Sequence, residues 1–191
     1  LLIGALVVTL GIVGNSAPTK AAVTSSPTFE LDGSNASSLA TSGATAWRDL
    51  VSNGTITGAL SGSAAYSSAG GGSLSVSGAS TYSGAAFPAT AAGTATNPSG
   101  DMSLMMWVRF SSFNPEWNLL SSRWFTNTAG GEVQDWHFAA RLSGSSRYLN
   151  LYTSGKHNNF GTTALALDTW YLVGFTLSWA GNLQFYINGV A

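Results

Sequence analysis

From Trp170 onward the chain alternates, with Trp170, Leu172 and Gly174 in one set and Tyr171, Val173, Phe175 and Leu177 in the other. A period of two residues is that of a β-strand. Ala180-Gly181-Asn182 breaks the pattern with turn chemistry. Leu183, Phe185 and Ile187 then alternate with Gln184, Tyr186 and Asn188 as a second strand. Asn188-Gly189 closes it, because both residue types tolerate the positive φ that a two-residue type I′ turn demands. The stretch 168–191 therefore predicts a β-meander.

Asp101–Phe110 predicts a central strand. Met102, Leu104, Met106, Val108 and Phe110 share one face, and Ser103, Met105, Trp107 and Arg109 the other. Apolar residues on both faces place such a strand inside a two-layer sandwich. Phe29-Glu30-Leu31 reads as a short strand ended by Asp32-Gly33, followed by a Ser/Ala/Thr loop over 34–46. Gly70-Gly71-Gly72 marks a turn before a strand at Ser73–Gly78, and 81–100 reads as loop. Further strands are expected at 118–125, 135–142 and 147–153. The chain shows no heptad, helical stripe or internal repeat. Short strands with turn signals every 8–12 residues or so predict an all-β fold, an antiparallel two-sheet β-sandwich of jelly-roll type.

Ser143-Gly144-Ser145-Ser146 predicts a hairpin between 135–142 and 147–153. If Arg141 pairs with Tyr148, then Ala139 faces Asn150 and His137 faces Tyr152. That register collects the apolar residues on one face and His137, Arg141, Tyr148, Asn150 and Tyr152 on the other. Aromatic rings cover the C–H patches of a sugar, and amide and guanidinium groups bond its hydroxyls. These five residues are the candidate ligand-binding set. The same composition also suits an ordinary solvated sheet face.

The 191 residues suit a single domain with a substantial core. Only 8% of residues are charged and the net charge is −1, so the chain carries no electrostatic footprint for nucleic acid or an anionic membrane surface. The absence of cysteine excludes disulfides, thiol catalysis and Cys-ligated zinc. Leu1–Gly14 is an uncharged apolar run about as long as a signal-peptide core and shorter than the ~20 residues of a membrane span. Residues 1–22 are therefore expected to be an export-signal remnant cut before Ala22. A truncated membrane anchor and a strand from an upstream domain are the alternatives. Residues 23–28 read as a linker and 29–191 as the domain. An exported product is expected to be secreted or at a cell surface, with a virion as the exception.

Several segments carry a family resemblance. They are the Trp170-Tyr171 strand with its apolar-x-apolar-Tyr-apolar-Asn-Gly continuation, Trp47-Arg48-Asp49-Leu50-Val51-Ser52-Asn53-Gly54, and the strand ending in Trp107-Val108. Together they resemble the laminin-G-like domains of the concanavalin A-like lectin and glucanase superfamily, over about Phe29–Ala191. The strand at Ser73–Gly78 ends in Ser-Gly where that family usually has Asp-Gly. The resemblance implies a jelly roll with further strands after the Asn-Gly turn, the last lying beside the first, so a C-terminal portion is expected beyond Ala191. Many such domains bind calcium, which takes oxygen ligands, and Asp32, Asp49 and Asn53 could supply them. Capping of local turns is the other use of such residues.

The resemblance also admits glucanases, which use a Glu-x-Asp-x-Glu strand with both carboxylates on one face. Nothing here matches. Glu132 and Asp135 are oddly spaced, and Glu30 and Asp32 alternate correctly but on a first edge strand. His137 and His157 are too distant in sequence to signal a metal site, and no Gly-x-Ser-x-Gly nucleophile turn occurs. Asn35-Ala36-Ser37 and Asn53-Gly54-Thr55 fit the glycosylation sequon of a eukaryotic secretory pathway. The expectation is a non-catalytic extracellular module binding a glycan or cell-surface partner, without membrane contact by the folded domain. The alternatives are a structural spacer of a cell surface, filament or virion, and a glycosidase.

Overall fold

The computed structural model describes residues 4–9, 27, 29–77, 83–87, 101–112, 116–122, 125–126, 132–133, 136–153, 157–178 and 181–191. The expected cleavage site before Ala22, most of the 23–28 linker and most of the 81–100 loop lie outside the described residues. The described strands are β1 (Gly4–Thr9), β2 (Phe29–Asp32), β3 (Ala46–Arg48), β4 (Thr57–Ser61), β5 (Ala65–Ser67), β6 (Ser73–Ser75), β7 (Gly84–Ala86) and β8 (Met102–Val108). They continue with β9 (Glu116–Ser122), β10 (Phe125–Thr126), β11 (Glu132–Val133), β12 (Trp136–Ser143), β13 (Ser146–Thr153), β14 (His157–Leu165), β15 (Tyr171–Leu177) and β16 (Leu183–Ile187). Among the described residues one 3-10 turn, Ala69–Gly71, is the only helical element. The fold class is all-β, as the alternation predicts.

The chain divides into two compact units, residues 1–108 with 170–191 and residues 109–169. The first carries a five-stranded sheet in the order β16-β15-β8-β1-β2. Its core follows the sequence pattern. Leu104, Met106 and Val108 are buried on one face of β8, opposite Phe175, Val173 and Tyr171 of β15, while Met105 and Trp107 of the other face are half-buried. A register row runs from Phe29 through Leu6, Leu104 and Phe175 to Phe185.

The meander also forms as predicted. Asn188 and Gly189 both have positive φ (53° and 81°), and Ile187 and Val190 exchange backbone hydrogen bonds across them. Asn188 Oδ1 further accepts the Leu172 N–H at 3.0 Å. Replacing Asn188 by Ala removes that acceptor and forces a Cβ-bearing residue without a local hydrogen bond into left-handed geometry. The expected cost is about 1–2 kcal/mol in a denaturant titration, with Asn188→Gly falling below it.

Two pairings, both made by β1, depart from a purely antiparallel sandwich. β1 lies between β2 and β8 and runs parallel to both. β2 and β8 thus point the same way, so any strand between them must be parallel to both or antiparallel to both. The apolar run Ala5-Leu6-Val7-Val8 has the near-continuous hydrophobicity typical of parallel strands. Part of the segment read as an export-signal remnant therefore occupies a central sheet position.

Around β2 and β3, polar groups join buried Phe29, Leu31, Leu39 and Trp47 in fixing the chain path. Ser38 Oγ donates to the Arg48 carbonyl at 2.6 Å and accepts the Asp32 N–H at 3.1 Å. Leu39 bridges Trp47, and both are buried. The 34–46 stretch, expected as loop, is thus anchored at its centre. β3, β4 and β7 form a three-stranded antiparallel sheet, and β5 and β6 a ribbon.

The second unit carries the four-stranded antiparallel sheet β14-β13-β12-β9 and the short β10-β11 ribbon. Phe138, Ala140, Leu149 and Leu151 are fully buried on one face of β12 and β13. Arg147 is also buried on that face, a charged residue among the apolar ones that the hairpin pattern predicts there.

Candidate functional site

The hairpin of β12 and β13 sets the geometry of the candidate site. Gly144, with φ of 62°, turns the chain between Ser143 and Ser146. From there the ladder runs Arg141↔Tyr148, Ala139↔Asn150 and His137↔Tyr152, the register that alternation predicts. Directly opposed residues of an antiparallel pair project to the same face, so the five candidate residues share one. The structure brings all five together.

Their exposures separate them into two roles. Arg141, Tyr148 and Tyr152 are half-buried, open enough to touch a ligand. His137 is 8% exposed and Asn150 0%. The His137 ring stacks on Tyr152, with centroids 5.2 Å apart and planes at 22°. Asn150 Nδ2 donates to the Asn159 carbonyl of β14 at 2.9 Å. These two pack within the face: His137 stacks beside the Tyr152 ring, and Asn150 ties β13 to β14.

The flanking strands extend the face. β14 places Phe160 opposite Asn150 and Ala164 opposite Tyr148, with a register shift between them. Phe160 is 39% exposed and adds a third aromatic to Tyr148 and Tyr152. On the other side β9 puts Glu116, Asn118 and Ser121 in register with Arg141, Ala139 and His137. The hydrophobic pattern does not reveal β14, because His157-Asn158-Asn159-Phe160-Gly161 is rich in residues that strands disfavour. Thr162-Thr163 is its one β-branched signal.

Of the three calcium candidates, Asp49 and Asp32 accept local hydrogen bonds and Asn53 occupies a turn. Asp49 is fully buried, and its carboxylate accepts the N–H groups of Glu30 at 2.6 Å, Ser52 at 2.8 Å and Val51 at 3.3 Å. Asp32 Oδ1 accepts both the N–H and the hydroxyl of Ser34, at 2.8 and 2.7 Å. Asn53 sits exposed in a left-handed turn with φ of 51°. A carboxylate with three N–H donors aimed at it has few lone-pair directions left for a cation, so this set fits calcium poorly. Among the described residues no three His, Cys, Asp or Glu side chains cluster as metal ligands. No described helix is long and apolar enough to cross a membrane.

Neither the curated proteins nor the solved structures include a match to the chain. A laminin-G family model, described as concanavalin A-like lectin/glucanases superfamily, matches residues 83–191, which takes in β8, the β12–β13 face and the closing meander. Domains of this type are typically non-catalytic and extracellular, though the superfamily includes glycosidases. With an all-β architecture built largely from antiparallel sheets and a family match over more than half its length, the chain belongs to the laminin-G-like family of the concanavalin A-like lectin/glucanase superfamily.

Proposed function

We propose that the chain is an exported, non-catalytic recognition module that takes a glycan on the face of β12, β13 and β14 that carries Tyr148, Tyr152 and Phe160. The observation that carries this reading is the β12–β13 register, which sets Arg141 opposite Tyr148, places Tyr152 about 13 Å further along the same face, and brings Phe160 of β14 in at the level between the two tyrosines. Two or three aromatic faces offer apolar cover for sugar C–H groups, and the guanidinium bonds hydroxyls or a carboxylate. Tyr152 is the central contact, because its ring already stacks beside His137 and less rotamer freedom is lost on binding.

A glycan-array screen of the full chain tests the proposal, followed by titration of the best ligand. Tyr152→Ala is expected to weaken binding about tenfold or more while the melting temperature stays near that of the parent. Chelator is expected to leave binding intact, because the Asp49 oxygens already serve backbone donors. Unchanged affinity in Tyr148→Ala, Tyr152→Ala and Phe160→Ala would remove this face as the site. The burial of His137 and Asn150 favours a second reading, a structural spacer whose sheet is held closed by those two residues. A folded chain that binds no glycan would select it.

A further inference from the structure

We propose a second, separate ligand site in the first unit, a pocket for a small polyhydroxylated carboxylate of sugar-acid type, with Arg48 as its anion-binding group. The cavity has a volume of about 640 Å³ and lies between the 36–46 segment and the turn at 50–54. Small-molecule sites commonly fall within roughly 300–1,000 Å³. Small residues such as Ala36, Ala40 and Gly43 leave the space open, and Leu50 supplies an apolar wall.

Arg48 is the one ionisable residue lining it. Because side chains alternate along a strand, Trp47 and Asp49 are buried while Arg48 projects outward. Its backbone is clamped by Ser38, whose carbonyl accepts the Arg48 N–H at 2.9 Å and whose hydroxyl bonds the Arg48 carbonyl. Its aliphatic stem lies over Gly54, where an added Cβ would sit 3.6 Å from Arg48 Cδ. The guanidinium has no hydrogen-bonding or ion-pair partner among the described residues, in a chain with only seven Lys and Arg in all. Ser37, Thr45 and Asn53 also line the cavity, and their side chains likewise make no hydrogen bond among the described residues.

The chemistry follows from that inventory. A planar guanidinium on a fixed backbone matches a carboxylate bidentately. Two hydroxyls and an amide, each both donor and acceptor, suit vicinal sugar hydroxyls, and Leu50 suits a C–H face. A neutral sugar would leave the cation unmatched, and a purely apolar ligand would strand four polar groups. The shared feature is a carboxylate on a hydroxylated ring, carried either by a free sugar acid or by a uronate within a glycan.

Calorimetric titration of the full chain with galacturonate, with a galacturonate trimer, with neutral galactose and with sodium acetate tests this site. The monomer is expected to bind in either case, with the trimer excluded if the source is a free acid and bound more tightly if it is a glycan. Galactose and acetate are expected to bind far more weakly. Arg48→Gln should weaken binding about tenfold or more, Arg48→Lys less, with the melting temperature held, since the side chain is exposed. Ala40→Trp fills the cavity without touching the charge and should abolish binding. Tyr152→Ala should leave uronate binding unchanged, which separates this site from the β12–β13 face. Equal binding of galactose, or full affinity in Arg48→Gln or Ala40→Trp, overturns the proposal, as does the absence of uronate binding by the parent chain.

Discussion

Asp49→Ala is expected to destabilise the protein by about 3–5 kcal/mol, enough to lower the melting temperature by roughly 10 °C. The substitution removes a fully buried carboxylate and strands three N–H groups at once. One donor, Glu30, belongs to β2, and the other two, Val51 and Ser52, to the turn after β3. Asp49 therefore works as a staple between segments 19 residues apart, reinforced by the Leu50 N–H bond to the Glu30 carbonyl at 2.8 Å. Asn at this position offers a graded test. It keeps an oxygen for Glu30 and Val51 but turns an amide N–H₂ toward Ser52, so about half the loss is expected. Urea titration of both variants measures this. An Asp49→Ala protein within about 0.5 kcal/mol of the parent would show that water replaces the carboxylate and that the staple is not needed.

Gly174→Ala should also destabilise, by about 3 kcal/mol, against the direction that intrinsic propensity gives. Gly in a strand interior normally costs about 0.5–1 kcal/mol relative to Ala, so propensity alone predicts a gain. The structure reverses the sign. A Cβ on Gly174 would run into the Leu104 carbonyl oxygen of β8 and would sit 3.1 Å from Met105 Cγ. The Met105 side chain can yield, but the Leu104 carbonyl is backbone in the β15–β8 ladder, where Gly174 pairs with Met105. Relief requires β15 and β8 to separate in the middle of the five-stranded sheet. Chemical denaturation of Gly174→Ala decides the matter, and a more stable variant would mean the strands can shift at little cost.

Both positions bear on legibility. Asp49 stands in a recognisable Trp-x-Asp-Leu setting, yet the sequence leaves it between a cation ligand and a turn cap. Its decisive donor, the Glu30 N–H, comes from a distant strand, and nothing local announces it. Gly174 fits its strand pattern as a small residue, while the carbonyl that excludes any larger one belongs to a strand nearly seventy residues earlier. The candidate face divides the same way. Alternation along 136–153 is enough to give the His137–Tyr152 and Arg141–Tyr148 pairs, because slipping by one residue would exchange the apolar and polar faces. It does not give the burial of Asn150, the stacking of His137 or the presence of Phe160, all of which depend on contacts beyond single-strand alternation.

The strand class, the type I′ turn at Asn188-Gly189, the buried face of β8 and the β12–β13 register are all legible in the amino-acid order. Each of these rests on local periodicity and on the φ preferences of one or two residues, quantities that neighbours along the chain decide. Tertiary structure alone decided the parallel placement of Gly4–Thr9 between β2 and β8, the anchoring of 34–46, the staple at Asp49 and the pocket over which Arg48 lies. Those depend on which distant backbone groups meet, and a hydrogen bond between residues 19 apart leaves no period in the sequence to be read.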